Sequence, residues 1–301
     1  FILYGMWLQR HWLFKRGFFS FKSILLLSSP FYLESNFNSA RNQGDSILVS
    51  SLLGPSALAG YYVAKTVANQ LNVFFNPVTS FMVHRLSSQR GYGKDELESA
   101  FKQVWHISVP IFIWLACAVG AASPLLLNMV AGKNYVYVWP IALLLCFMLC
   151  ALTLYSISGR VLLIIGNSLE RFKITLIQTL LIITLSFIIV PIIDAEGIAL
   201  SWLISVVFSI YLVKQRVTKL KFNWPQVTLL STANILTVLM PLSTLVMYEL
   251  GLNMILVILI FTLTALGSLW SILFYQNEYE ETQMSNILPS RLLPMYRWIR
   301  K

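Results

Sequence analysis

The sequence predicts an all-α fold, a polytopic transmembrane helix bundle with about eight spans of roughly 20 residues each. Three observations lead to this prediction. Of the 301 residues, 57% are apolar and 11% are charged, whereas soluble domains average roughly 25% charged residues. Apolar stretches of membrane-spanning length recur along the chain, and basic residues concentrate in every second loop between them. This composition excludes a disordered chain, a disulfide scaffold and a water-soluble core.

Each predicted span is a mainly apolar stretch long enough to cross a bilayer. The spans are Phe21–Leu53, Ala57–Met82, Trp105–Ala131, Tyr137–Ser158, Ile174–Ile193, Gly197–Val213, Val227–Tyr248 and Leu252–Tyr275. The first is longer than one crossing, and Pro30 within it removes a backbone hydrogen bond, so we expect a kink there. Aromatic residues near the span ends, such as Trp105 and Tyr275, are typical of the membrane–water interface.

The basic residues predict how the spans are oriented. Nearly all of the 22 lysines and arginines lie in five segments that alternate with almost uncharged loops. The five segments carry Arg10, Lys15, Arg16 and Lys22; Arg85, Arg90, Lys94 and Lys102; Arg160, Arg171 and Lys173; Lys214, Arg216, Lys219 and Lys221; and Arg291, Arg297, Arg300 and Lys301. Positively charged loops remain in the cytoplasm. We therefore expect both chain ends to be cytoplasmic, and the net charge of +10 to reflect topology and not a nucleic-acid partner.

Two polar stripes run through the first two predicted spans. The first consists of Glu34, Asn38, Arg41 and Asp45, and the second of Lys65, Asn69, Asn72 and Asn76. Both have the spacing i, i+4, i+7, i+11, which places each stripe on one helix face within about 60° of arc. Charged side chains inside a membrane are costly and usually mark a substrate or ion pathway.

The two stripes are expected to meet in a helical hairpin. Asp45 and Lys65 are equally far from a predicted turn near Pro55, so they reach the same depth in antiparallel helices. If both stripes face one cavity, they suit a hydroxyl-rich or anionic cargo. The alternative is that the charged pair and the asparagines only hold two helices together by interhelical bonds. The two roles can coexist.

No catalytic residue, metal site or cofactor site is predicted. The three histidines lack the spacing of metal ligands, and the three cysteines lie in apolar runs without a CxxC pattern. The sequence also lacks the nucleophile elbow of hydrolases and the glycine pattern of a phosphate-binding loop.

The chain begins with apolar residues Phe1–Leu8 that run directly into a basic segment. This is the pattern of the last turns of an earlier helix, so we expect the sequence to be the C-terminal part of a longer protein. The predicted divisions are 1–16 (end of a preceding helix and a cytoplasmic basic loop), 17–217 (a six-helix transmembrane lobe), 218–275 (two additional helices) and 276–301 (a cytoplasmic tail).

A series of short motifs covers most of residues 17–217. It comprises Asp45–Val49 (DSILV), Leu53-Gly54, Ala59–Ala64 (AGYYVA), Pro77 before a basic loop, Ala131–Tyr135 (AGKNY) and Gly197–Ser201 (GIALS). In this order the motifs resemble those of the O-antigen and polysaccharide flippases. These proteins form one family of the multidrug/oligosaccharidyl-lipid/polysaccharide exporter superfamily.

The resemblance implies a transporter of two six-helix lobes around a cationic cavity, with alternating access. Spans one to six would be the second lobe, followed by two additional helices, and the first lobe would be missing. The implied cargo is an undecaprenyl-pyrophosphate-linked oligosaccharide, the O-antigen repeat unit. It would cross the bacterial cytoplasmic (inner) membrane for polysaccharide and lipopolysaccharide biosynthesis. Membrane lipid and the polysaccharide polymerase machinery are the other implied partners, and no nucleic acid is expected.

The resemblance also assigns roles to the two stripes. Arg41 and Lys65 would attract the pyrophosphate or acidic sugars. Asp45 and Glu34 would balance these cations or couple transport to an ion gradient. The asparagines of both stripes would hydrogen-bond sugar hydroxyls.

Three alternative interpretations remain open. A cation-coupled multidrug exporter of the same superfamily would use Asp45 as its ion site, although the mixed charges favour an anionic lipid-linked cargo. A membrane glycan polymerase or acyltransferase, which is an enzyme, would need catalytic residues in a large external loop, whereas the predicted external loops are short and almost uncharged. The third is a nonfunctional remnant of a truncated gene.

Overall fold

The computed structural model describes residues 29, 32–33, 36–37, 43–88, 93–165 and 167–225, with Ile107 described by its backbone alone. Within these ranges every regular element is helical and no β-strand occurs. Three helical segments of this part are long and apolar enough to cross a membrane: Lys94–Ala131, Lys133–Ile164 and Ser168–Lys219. The predicted all-α transmembrane fold is confirmed. The predicted spans Val227–Tyr248 and Leu252–Tyr275, and most of Phe21–Leu53, lie outside the described residues.

The chain enters the described bundle through a helical hairpin. Helix α1 occupies residues 43–53 and α2 occupies Pro55–Asn69. Between them, Gly54 has φ of 87°, a left-handed conformation that a side chain would strain. Pro55 suits the first turn of α2, where a backbone N–H has no intrahelical partner in any case.

The second predicted span, Ala57–Met82, is divided into two helices. After α2, Gln70 interrupts the regular hydrogen bonding because its N–H bonds to the Val67 carbonyl, three residues back, at 3.2 Å. Gln70 keeps right-handed helical angles (φ −60°, ψ −27°), so the chain continues directly into α3, Leu71–Ser88. Sequence periodicity alone did not predict this break.

Helices α4 and α5 correspond to the third and fourth predicted spans. Helix α4 covers Lys94–Ala131, a 3₁₀ helix covers Lys133–Val138, and α5 covers Trp139–Ile164. Gly132 ends α4 with φ of 84°, the conformation for which glycine is favoured after a helix. Helix α5 contacts α2, α3 and α4 as well as the element that follows it, and it therefore forms the centre of the bundle.

The last described element, α6 (Ser168–Lys219), is interrupted by non-helical backbone at Ile193 and Asp194 (φ −131°, ψ 27° and φ 49°, ψ −134°). We divide it there into α6a, residues 168–192, and α6b, residues 195–219. A Cβ atom added to Gly197 would lie 3.0 Å from the Val190 backbone, so the two arms lie close together just beyond the break. These arms correspond to the predicted spans Ile174–Ile193 and Gly197–Val213.

The turns that carry basic residues meet at one end of the bundle. Asn223 donates from its backbone N–H and its side-chain amide to the Glu98 carboxylate, at 3.1 and 3.2 Å. Arg216 Nε lies 3.2 Å from Glu170 Oε2, so the start of α4 and both ends of the α6 hairpin are neighbours. We call this region the basic end. Its described basic residues are Arg85, Lys94, Lys102, Arg160, Arg171, Lys173, Lys214, Arg216, Lys219 and Lys221.

The core consists of apolar side chains packed around α5. Phe75 of α3 and Phe112 of α4 are fully buried, with ring centroids 4.8 Å apart. Leu145 and Ile157 of α5 are buried beside them in the same cluster. The three cysteines are free and buried, as their apolar surroundings predict.

Candidate functional site

A buried ion pair joins α1 to α2. Lys65 Nζ lies 2.8 Å from Asp45 Oδ1 and 2.7 Å from Oδ2. Asp45 is 2% exposed, while the Lys65 side chain keeps 22% exposure. The structure thus brings together the two charged residues that the hairpin geometry places at equal depth. Lys65 is partly accessible from outside, whereas its partner is not.

The Asp45 carboxylate is surrounded by further hydrogen-bond donors. Tyr61 Oη donates to Oδ2 at 3.1 Å. The Ser46 backbone N–H donates to Oδ1 at 2.7 Å, and the Ser46 hydroxyl lies 3.3 Å from the same oxygen. These donors replace the water that the carboxylate loses on burial. Tyr61 was not predicted as a site residue, although its position one turn before Lys65 on the same helix was the available signal.

The asparagines of the second stripe lie on the outer face of α2 and α3. Asn69 and Asn76 are exposed and Asn72 is half-buried. Asn72 Nδ2 donates to Asn69 Oδ1 at 3.3 Å, so within the described chain these two amides bond to each other and not across to α1. The stripe therefore continues outward from Lys65 along an accessible surface.

Glu34, Asn38 and Arg41 lie outside the described residues. The relation of the first stripe to the second therefore stays a prediction, apart from Asp45.

Two exposed helix faces differ sharply in polarity. The outer face of α6 is apolar; it includes Leu180, Ile183, Phe187, Ile188, Ile192, Val207 and Phe208. The outer face of α2 and α3 carries Tyr62, Asn69, Gln70, Val73, Phe74, Asn76, Pro77, Ser80 and Phe81. Hydrocarbon accepts the first surface but penalises amide and hydroxyl groups on the second. The α6 face therefore suits lipid, and the α2–α3 face suits water or another polar surface.

A buried cation lies within the basic end. Arg171, expected in a loop, is instead in the first turn of α6a and is only 6% exposed. Its guanidinium packs over Gly159 of α5, where an added Cβ would lie 3.3 Å from Cζ. Thr175 and Gln178 follow on the same face and are fully buried, and Thr175 Oγ1 lies 3.0 Å from Tyr155 Oη. Arg171, Thr175 and Gln178 have the spacing i, i+4, i+7, which indicates one helix face. This face was not predicted because Arg171 was counted among the loop residues.

Comparison with known families identifies the N-terminal part of the chain. Residues 1–140 match the model of a family described as polysaccharide biosynthesis protein. Over this segment the chain is similar to that family. The match includes the Asp45–Lys65 pair and the whole α2–α3 face, and it ends at the start of α5. The predicted relationship to polysaccharide-export proteins is therefore confirmed at the family level.

Two further comparisons give no relative. No curated protein and no solved structure matches the chain at a significant level. The link to polysaccharide biosynthesis thus comes from the match over residues 1–140.

Proposed function

We propose that the protein is a flippase that moves lipid-linked oligosaccharides across the cytoplasmic membrane during polysaccharide biosynthesis. The observation that carries this proposal is the group of exposed amide side chains on the outer face of α2 and α3 beside the Asp45–Lys65 pair. A polar face on membrane helices needs a hydrated cavity. Such a cavity offers a path for the saccharide head group while the lipid tail stays in hydrocarbon. The similarity of residues 1–140 to a polysaccharide biosynthesis family supplies the biosynthetic context.

The cargo that fits this face best is an undecaprenyl-pyrophosphate-linked oligosaccharide, such as an O-antigen repeat unit. Lys65, held on both oxygens of Asp45, can shift its ammonium group toward a pyrophosphate without becoming an isolated buried charge. Arg41 would add a second cation. The asparagines of the stripe would hydrogen-bond sugar hydroxyls.

Asp45 gives the site a means of coupling to an ion gradient. Protonation of its carboxyl group would weaken the hold on Lys65 and leave the ammonium group available to the anionic cargo. Deprotonation would restore the pair and favour release. Tyr61, which donates to the same carboxylate, would keep the carboxyl group in place in both states. Glu34 would be a second group of this kind.

The orientation follows from the basic end. Because positively charged regions stay in the cytoplasm, we place the basic end there and the Gly54 turn on the opposite, periplasmic side of a bacterial inner membrane. Both chain ends are then cytoplasmic. Cargo would be loaded from the basic end and released near the Gly54 turn for use in lipopolysaccharide assembly.

A membrane glycan polymerase or acyltransferase is less consistent with the described chain. Such an enzyme would hold its catalytic groups in a large external loop. The described turns opposite the basic end are Gly54, the 3₁₀ helix Lys133–Val138 and the break at Ile193 and Asp194. All are short, which supports a transporter over an enzyme.

The experiment is deletion of the gene in the source strain, followed by complementation with the complete gene. We expect the deletion strain to accumulate lipid-linked oligosaccharide and lose surface polysaccharide, and the gene to reverse both effects. Lys65→Gln should not restore export at equal membrane abundance. The matched control, Lys133→Gln, changes an exposed lysine of the 3₁₀ helix and should restore it. A deletion strain with normal lipid-linked oligosaccharide would contradict the proposal.

A cation-coupled drug exporter of the same superfamily is the second candidate, because the buried Asp45 carboxylate is a suitable ion site. The lysine on both of its oxygens disfavours a cationic drug as cargo. The same strains separate the two functions. A drug exporter predicts lower resistance to cationic compounds in the deletion strain with unchanged surface polysaccharide.

A further inference from the structure

The outer face of α2 and α3 combines amide groups with large aromatic rings. Phe74 and Phe81 are 55% and 50% exposed and are seven residues apart, so they form one row along the helix. Asn69 and Asn76 are also seven residues apart and form a second row. Between the rows lies a strip that contains Val73, Pro77 and Ser80. We call this surface, residues 69–81, the amide–aromatic face.

Pro77 adds a backbone acceptor to this strip. Proline has no N–H, so the Val73 carbonyl lacks the amide donor that it would have four residues later in a regular helix. Val73 and Pro77 are both exposed, so the carbonyl belongs to the same strip of the helix surface. An unpaired carbonyl is costly against hydrocarbon but useful beside a hydroxyl-bearing ligand.

We propose that the amide–aromatic face binds the sugar rings of the cargo, with Phe74 and Phe81 as stacking residues that determine specificity for an oligosaccharide. This inference rests on the proposed function and deepens it. A pyranose ring has an apolar C–H face and a rim of hydroxyl groups. The aromatic row can stack against the apolar C–H face, and the amide row together with the Val73 carbonyl can hydrogen-bond to the hydroxyl groups. A lipid tail could contact the aromatic rings but could not hydrogen-bond to the amide row.

The position of Lys65 gives the bound cargo a direction. Lys65 lies one turn before Asn69 on α2, at the end of the face nearer the hairpin turn. The pyrophosphate would sit at Lys65, and the sugars would extend along α3 toward the basic end. From Asn69 to Phe81 the helix rises about 18 Å at 1.5 Å per residue, which is long enough for a short oligosaccharide. The sugars farthest from the pyrophosphate would therefore contact Phe81.

The test uses proteoliposomes that contain the full-length protein and one of two cargos. The first is the lipid-linked oligosaccharide isolated from the deletion strain. The second is the same lipid pyrophosphate carrying a single sugar. The variants are Phe74→Leu/Phe81→Leu, which removes both rings, and Phe74→Tyr/Phe81→Tyr, which keeps them. Phe187→Leu on the apolar α6 face is the matched control.

We expect the leucine variant to transport the oligosaccharide about tenfold more slowly, which corresponds to a loss of about 1.4 kcal/mol. Transport of the single-sugar lipid should change little, because that sugar lies near Lys65 and Asn69. The tyrosine variant and Phe187→Leu should transport both cargos at the wild-type rate.

Two results would overturn the inference while leaving the proposed function intact. One is an unchanged oligosaccharide rate in the leucine variant. The other is an equal loss for both cargos, with reduced protein stability, which would mean that the rings pack against another helix. If the wild-type protein transports neither cargo, the proposed function itself fails and this inference with it.

Discussion

Asp45 on α1 accepts hydrogen bonds from Lys65 and Tyr61, which lie one turn apart on α2. Because all three polar groups are held in one place, α1 and α2 cannot separate or slide without exposing a charge to an apolar environment. The pair therefore fixes the hairpin. It also sets Lys65 at the edge of the amide–aromatic face, where an anionic group can reach it.

Tyr61→Phe is expected to weaken this arrangement without disturbing the packing of the ring. The change removes the hydroxyl that donates to Asp45 Oδ2 at 3.1 Å, and hydrogen bonds to charged groups contribute about 1.5–3 kcal/mol. Thermal unfolding of the purified protein should show a lower Tm. Tyr62→Phe, at an exposed neighbouring position, is the control and should leave Tm unchanged. Equal Tm values for the two variants would show that the Tyr61 hydroxyl does not stabilise the carboxylate.

Gly197→Ala should open the α6 hairpin. A Cβ at this position would lie 3.0 Å from the N and Cα atoms of Val190, and a backbone contact cannot relax as a flexible side chain can. Overpacking of this kind typically costs about 1–3 kcal/mol. The measurement is Tm together with the amount of protein recovered from the membrane. Ser201→Ala, which removes a hydroxyl bonded to the Gly197 carbonyl of its own helix, should have a smaller effect. A Gly197→Ala variant as stable as wild type would contradict this packing.

The segment after α6b is held to α4 by an aromatic cluster. Phe222 is fully buried, with its ring centroid 5.9 Å from that of Phe101. Trp224 lies 5.3 Å from Phe101 and 5.2 Å from Trp105. The cluster, with the Asn223 contacts to α4, connects the ends of two membrane helices.

Phe222→Ala should release this segment, since removal of a buried phenylalanine costs about 3–5 kcal/mol. The exposed Lys219 and Lys221 directly precede the segment, so trypsin should cleave there faster in the variant, as followed by mass spectrometry of the products. Phe222→Leu preserves most of the apolar volume and should be cleaved at nearly the wild-type rate. Identical cleavage of Phe222→Ala and wild type would show that the cluster does not hold the segment.

Part of this site could be predicted because it depends on distance along the chain. Asp45 and Lys65 are equally far from a turn that glycine and proline mark, so their pairing follows from hairpin geometry alone. The break at Asp194 was predictable for a similar reason. Acidic residues separate two apolar stretches there, each long enough to cross a membrane.

Other features depend on which helices pack together, and the sequence does not encode this in a local pattern. The sequence alone favours an interfacial position for Tyr61, because its contact with Asp45 depends on how α1 and α2 pack. The sequence alone favours a loop position for Arg171, because its burial depends on packing against Gly159 of α5. The division at Gln70 is a change in backbone hydrogen bonding within an otherwise continuous apolar and amide pattern, so periodicity gave no sign of it.

The most direct test separates the structural role of the Asp45–Lys65 pair from its role in transport. Lys65→Gln alone leaves the buried Asp45 carboxylate without its cation, which costs about 3–5 kcal/mol, and Asp45→Asn alone removes the carboxylate that holds the Lys65 ammonium group. The double variant Asp45→Asn/Lys65→Gln removes both charges and should recover much of this stability. The measurement is the rate of lipid-linked oligosaccharide transport per molecule of reconstituted full-length protein. We expect the double variant to be stable but to transport at a small fraction of the wild-type rate, whereas wild-type transport by the double variant would contradict a role for Lys65 in moving the cargo.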